Sequence, residues 1–134
     1  MSLTLHGMIR GLTANVAETA PEAADPRLRG RTYAIPFDAV WRAAIDLATD
    51  LRGWTIVSTD DYEGTITAEA TTLVMRFVDD VTIRIRLDEN AQTRVDMRSA
   101  SRKGVGDFGT NARRIARFMR LLDRRLQKRA GGTA

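Results

Sequence analysis

The chain has 134 residues, of which 43% are hydrophobic and 28% are charged, and this is room for one globular domain. It contains no cysteine and a single histidine, His6, which excludes disulfides, a cysteine nucleophile and, within one subunit, a histidine triad or a zinc site. We therefore predict neither a metal site nor a cofactor.

The net charge of +4 is unevenly distributed along the chain. From residue 107 onward there are eight arginines and lysines against two aspartates, a net charge of +6, which leaves the preceding part of the chain at −2. The basic character therefore belongs to one C-terminal segment.

Residues 1–30 are predicted to be an N-terminal tail, because residues 17–26 are rich in proline, alanine and acids without apolar periodicity. No apolar run reaches the length of a membrane span or a signal peptide. We expect a cytoplasmic location for the sequence as it stands, and an envelope location if a leader has been removed.

A single α+β domain is predicted over residues 31–127. A short strand at 31–35 stops at Pro36, and a helix follows over 37–52, where Val40, Ala44 and Leu47 recur on one face. Gly53 suits the position just past its end.

Alternating apolar and polar residues then predict four strands, at 54–59, at 65–71, around 81–87 and at 93–101. The start of the third is left open, because residues 73–77 also read as its beginning. Its pairing with the fourth would place several charged side chains on one outer face: Arg84, Arg86, Arg94, Asp96 and Arg98.

A final helix is predicted over 109–128, with one apolar stripe formed by Ile115, Phe118, Met119, Leu122 and Leu126. The order β-α-β-β-β-β-α with short turns favours an antiparallel sheet of about five strands, with the long C-terminal helix packed across it in a helix-grip-like arrangement. Residues 128–134 are predicted to be a C-terminal tail.

The C-terminal half carries a distinctive set of motifs. An aspartate pair lies in Phe77-Val78-Asp79-Asp80-Val81, followed by Arg98-Ser99-Ala100-Ser101-Arg102, Gly104, Asp107-Phe108-Gly109 and Asn111-Ala112-Arg113-Arg114-Ile115. Over residues 30–127 the chain resembles the bacterial and plastid family called domain of unknown function 1499. Many relatives carry a cysteine-bearing segment or a membrane anchor ahead of the domain, and neither pattern occurs here. The resemblance implies a fold and a motif set, but no reaction.

The motif residues form a candidate polar site with two interpretations. The backbone N–H groups at the start of the last helix and nearby arginines would attract an anion. Alternatively, arginines pair with the two aspartates and an asparagine ties the loop, which makes a structural latch, and we favour this second interpretation. The residues concerned are Asp79, Asp80, Arg98, Ser99, Ser101, Arg102, Asp107, Gly109, Asn111 and Arg114.

Two catalytic interpretations of the same motifs are weak. Gly104–Gly109 fits G-x-G-x-x-G, but no further strand follows the helix, so a dinucleotide site is rejected. Neighbouring strand residues point to opposite faces, so Asp79 and Asp80 form no carboxylate dyad unless a bulge intervenes.

The last helix also presents a stripe of arginines, Arg113, Arg117, Arg120 and Arg124, at the spacing of one helix face. Such a face suits nucleic acid or an acidic membrane surface, or it is merely solvated. No aromatic residue interleaves with it, which leaves base stacking unsupported.

Three functions remain open, and a non-catalytic role is favoured among them. The first is a binding module that takes a small apolar or amphipathic ligand between sheet and helix, or a partner protein. The second is a binder of anionic surfaces through the arginine stripe. The third is an enzyme that uses Asp79, Asp80, Arg98 and Arg102, which must then converge in an open cleft.

Overall fold

The computed structural model describes residues 15–102 and 108–131. Its strands are β1 (Val16–Glu18), β2 (Arg31–Tyr33), β3 (Trp54–Asp60), β4 (Thr65–Thr71), β5 (Val78–Leu87) and β6 (Thr93–Ser101). Its helices are α1 (Phe37–Asp50) and α2 (Phe108–Gly131), with one 3-10 turn at Pro26–Leu28.

The strands form one antiparallel sheet in the order β3-β4-β5-β6, and β1 and β2 both pair with the free edge of β6. The α+β prediction is therefore confirmed, including the long C-terminal helix that packs on the sheet. That helix ends at Gly131, beyond the predicted end at residue 128.

Period-two alternation decides which residues enter the core. On β5, Val81, Ile83 and Ile85 are buried, and on β6, Val95 and Met97 are buried opposite them. The apolar stripes of both helices cover this inner face, and Phe118 stacks on Trp54 with ring centroids 5.4 Å apart. No described helix covers the outer face, where the charged residues predicted for it lie.

Residues 15–30 differ from the predicted tail. β1 pairs with the edge of β6, with Val16 opposite Ala100 and Glu18 opposite Arg98, and Ala17 and Leu28 are buried. The composition did not predict β1, because a three-residue strand at a sheet edge needs only one buried side chain and so shows no apolar periodicity. The predicted tail residues 1–14 lie outside the described part of the chain.

The open question at the start of β5 is also answered. β5 begins at Val78, and residues 72–77 form the turn between β4 and β5, which we call the β4–β5 loop. The pairing of β4 with β5 ends at Thr71 and Val78, and the Thr72 N–H then donates to the Phe77 carbonyl to close the turn, so Leu73, Val74 and Met75 lie outside the sheet. None of the described helices combines the length and apolar character needed to cross a bilayer.

Candidate functional site

The motif residues on the inner face form a buried polar cluster beneath the first turns of α2. Asp79 continues the inward side of β5, Ser99 and Ser101 continue that of β6, and Asn111 and Arg114 reach down from the helix. Asp79 and Arg114 have side chains only 3% and 12% exposed, and their ion pair measures 2.7 Å. We call these five residues the inner cluster.

Hydrogen bonds connect the four members of the inner cluster other than Asp79, which joins them through its ion pair with Arg114. The Arg114 guanidinium donates to Ser99 Oγ at 3.1 Å and to Asn111 Oδ1 at 3.0 Å, and Ser99 Oγ donates to the same Asn111 oxygen at 2.7 Å. The Asn111 amide donates to Ser101 Oγ at 3.0 Å and to the carbonyl of Asn15 at 2.9 Å. Among the described residues no buried side-chain nitrogen or oxygen lacks a partner, so each buried polar side-chain atom of the cluster is already hydrogen-bonded within the protein.

Asp80 lies on the opposite face, as the alternation of strand side chains predicts. Its carboxylate binds Arg102 at 2.6 Å, and Arg102 also binds Glu69 of β4 at 2.9 Å. The hydrogen bond from Arg102 holds the pKa of Asp80 below its usual range, and the same pair raises the pKa of Arg102. All three side chains are between 41% and 51% exposed, and we call them the outer cluster.

Arg98 also lies on the outer face, next to Glu18 at 3.9 Å and opposite Thr82. The four residues proposed for an enzyme are therefore not brought together, because Asp79 is separated by the thickness of the sheet from Asp80, Arg98 and Arg102. Gly109 occupies the first turn of α2, and Asp107 lies outside the described residues.

The predicted arginine stripe is exposed along α2, and its first half borders a concavity that the sequence did not reveal. This open groove of about 440 Å³ lies between the N-terminal half of α2 and the end of β3 and β4 where Trp54 and Thr71 are located. We call it the arginine groove, and its lining residues are Leu51, Arg52, Trp54, Ala70, Thr71, Thr72, Leu73, Thr110, Arg113, Arg114, Arg117 and Phe118.

The arginine groove combines an apolar floor with cationic walls. Trp54 and Leu73 supply partly exposed apolar surface, and every charged residue in the lining is an arginine. Arg114 is neutralised by Asp79, whereas Arg52, Arg113 and Arg117 form no ion pair with any residue that the structure describes. The groove is therefore suited to an anion that carries an apolar portion.

Two other concavities have mixed charge. The one on the outer face, of about 420 Å³, is bordered by Arg84, Arg86 and Arg98, but also by Glu18 and Asp96. Asp96 is already bound to Arg94 at 2.8 Å, and the lining of a pocket near the end of α2 includes Asp46 as well as Arg125 and Lys128. Carboxylates in these linings oppose an incoming anion, which distinguishes them from the arginine groove.

Sequence reasoning missed Arg52 because it lies in the turn between α1 and β3, far in sequence from Arg113 and Arg117. The only signal was its position directly before Gly53, which was expected to follow the helix and therefore marked a turn at one end of the sheet.

A family model described as "Protein of unknown function (DUF1499)" matches residues 12–122. The match covers most of the chain, so this protein belongs to the DUF1499 family, to which that description attaches no activity. The match begins at residue 12, whereas the resemblance based on the motifs begins at residue 30, so the match also includes β1. No curated protein matches the chain.

Proposed function

We propose that this protein is a non-catalytic binding module of helix-grip type that takes a small anionic amphipathic molecule in the arginine groove. The observation that carries the proposal is the charge of the lining: all its charged residues are arginines, and three of them have no carboxylate partner among the described residues. A phosphate or carboxylate head would bind Arg52, Arg113 and Arg117, and an apolar chain would lie along Trp54 and Leu73.

The groove suits a binding role better than a reaction. Arginine, with its very high pKa, is a poor proton acceptor, and threonine hydroxyls without a neighbouring base are weak nucleophiles. No group of three or more acids or histidines capable of holding a metal ion occurs in the described part of the chain. The inner cluster, in this proposal, is the structural latch that fixes α2 against the sheet and thereby positions the groove walls.

The test is a titration with dodecyl phosphate below the concentration at which it forms micelles, followed by the fluorescence of Trp54 in a Trp41→Phe background. We expect saturable binding, with inorganic phosphate and dodecanol each binding more weakly than the combined molecule. Arg113→Glu with Arg117→Glu should weaken binding by at least about tenfold, since a hydrogen bond to a charged group contributes about 1.5–3 kcal/mol.

The matched control is Arg120→Glu with Arg124→Glu, which makes the same change of charge on the same helix but does not touch the groove. It should bind as the wild type does. Equal losses in both double variants would instead favour the second candidate function, in which the whole arginine stripe binds an extended anionic surface such as nucleic acid. Unchanged binding in both variants would contradict the groove assignment.

A further inference from the structure

The tip of the β4–β5 loop exposes three consecutive large apolar side chains. Leu73, Val74 and Met75 are 68%, 88% and 64% exposed, whereas the other exposed large apolar side chains of the described residues, Val57 and Tyr62 among them, have no such neighbours in sequence. Single exposed apolar residues are ordinary on a protein surface, but a contiguous group marks a place of contact.

The loop is held in shape by its own backbone. The Thr72 N–H donates to the Phe77 carbonyl at 2.8 Å, and the Phe77 N–H donates to Thr72 Oγ1 at 2.9 Å. The Arg76 N–H donates to the Thr72 carbonyl at 3.1 Å, and Arg76 takes the left-handed conformation with φ 60°. The apolar tip is thus presented in an ordered form, which lowers the entropy lost when it binds.

Cationic residues surround this apolar tip. On one side of Leu73 lies the arginine groove, and on the other lies a second concavity of about 510 Å³ whose charged residues are Arg52 and Arg76. Neither lining contains a carboxylate. The start of α2 lies at the same end of the molecule, and its helix dipole adds positive potential there.

The described carboxylates closest in sequence to Arg52 and Arg76 do not cancel this charge. Asp50 is bound to Arg125 at 2.8 Å, and Asp79 is buried against Arg114. Arg52, Arg76, Arg113 and Arg117 therefore surround the apolar tip without an ion-pair partner among residues 15–102 and 108–131.

We propose that this end of the protein docks on an anionic lipid bilayer. Val74 and Met75, with Leu73, enter the boundary between headgroups and acyl chains, and the surrounding arginines lie at the level of the lipid phosphates. The combination selects the occupant: a nucleic acid offers no apolar layer for the tip, and an uncharged apolar protein surface offers no counter-charge for four arginines. The inference goes beyond the proposed function, because it requires a surface and no occupied groove.

The first test measures co-sedimentation with vesicles of equal phosphatidylglycerol and phosphatidylcholine, and with vesicles of phosphatidylcholine alone. We expect binding to the anionic vesicles that salt weakens, and little binding to the neutral ones. Val74→Ser with Met75→Ser should lower the partition coefficient by at least about tenfold, given the free energy of burying two apolar side chains.

The matched control is Val57→Ser with Tyr62→Ser, which removes two equally exposed apolar side chains outside the β4–β5 loop. It should leave vesicle binding unchanged. Val74 and Met75 do not line the arginine groove, so their double variant should still bind monomeric dodecyl phosphate. Vesicle binding and groove binding can therefore fail separately, and each failure identifies which proposal is wrong.

A second measurement uses the absence of cysteine from the chain, which makes an introduced cysteine a unique attachment point. An environment-sensitive fluorophore on Val74→Cys should shift to the blue with anionic vesicles, and the same fluorophore on Tyr62→Cys should not. Equal shifts at both positions, or vesicle binding that survives Val74→Ser with Met75→Ser, would overturn the proposal. So would a self-association of the free protein that this double variant abolishes, since a second copy would then cover the tip.

Discussion

Asp79 and Asp80 are neighbours in the chain, yet each is the centre of a different kind of ion pair. Asp79 binds Arg114 inside the molecule, where both side chains are nearly removed from solvent, and Asp80 binds Arg102 at a similar distance on an open face. The inner pair is enclosed by Ser99 and Asn111, while the outer pair is open to water and salt. Two ion pairs of similar length therefore differ greatly in how much stability is lost when one partner is removed, because burial excludes the solvent that would replace that partner.

The largest effect should come from breaking the inner pair. Asp79→Ala leaves the Arg114 guanidinium buried without its carboxylate, and we expect a loss of about 3–5 kcal/mol in the free energy of unfolding. Asp80→Ala is the matched control one residue away and should have a far smaller effect in the same chemical denaturation experiment. Equal losses would contradict the contrast between the two faces.

A double-mutant cycle sharpens this comparison. Asp79→Ala combined with Arg114→Ala should cost much less than the sum of the two single changes, because the second removes the charge that the first leaves unpaired. The corresponding cycle for Asp80 and Arg102 should be close to additive. Additivity in the inner cycle would show that Asp79 and Arg114 act independently.

Asn111→Ala should produce the next largest loss. The side chain is completely buried and bridges Ser99, Ser101 and the Asn15 carbonyl, so its removal leaves several buried groups unpaired. We expect about 1–3 kcal/mol in the free energy of unfolding. Ser58→Ala, which removes an exposed hydroxyl bonded to Thr67 on the outer face, should change stability by less than about 0.5 kcal/mol.

Tyr33 should have an effect of intermediate size on the free energy of unfolding, and this effect should appear at alkaline pH. Burial, and then the hydrogen bond that its hydroxyl donates to Asp123, raise the pKa of Tyr33 above its ordinary value of 10.0. The folded state therefore keeps this proton longer than the unfolded state, and the contribution to stability is complete below pH 10.0 and falls as the pH rises further. Tyr33→Phe should flatten the alkaline decline in the free energy of unfolding, and an unchanged slope would contradict this assignment.

The smallest effect should be the acid dependence of the outer pair. The hydrogen bond from Arg102 lowers the pKa of Asp80, so the contribution of this pair to stability is present above the ordinary value of 3.8 and is lost as the pH falls through the lowered pKa. Asp80→Asn should reduce the difference in stability between neutral pH and pH below 3.8 only slightly, because the pair is exposed and screened by solvent. A change as large as that of Asp79→Ala would contradict the comparison.

Local patterns were enough to predict much of the fold. The helix at Phe37–Asp50, the strands from Trp54 onward and the C-terminal helix follow from periodicities of 3.6 and 2 residues, which depend only on backbone geometry. β1 could not be predicted in this way, because three residues contain too little pattern. The β4–β5 loop was ambiguous because Leu73-Val74-Met75 has strand-like composition, and only the pairing of Thr71 with Val78 ends the strand there.

The sequence by itself determined that Asp79 and Asp80 face opposite sides of the sheet, since successive strand side chains must alternate. It also determined that Arg113 and Arg117 share one face of the last helix. Only the tertiary structure decided that Asp79 meets Arg114, that Arg52 joins the helix arginines around one groove, and that an apolar loop tip lies beside them. These contacts depend on how α2 is placed across the sheet. That placement results from the packing of the whole core, so no single segment of the sequence determines it.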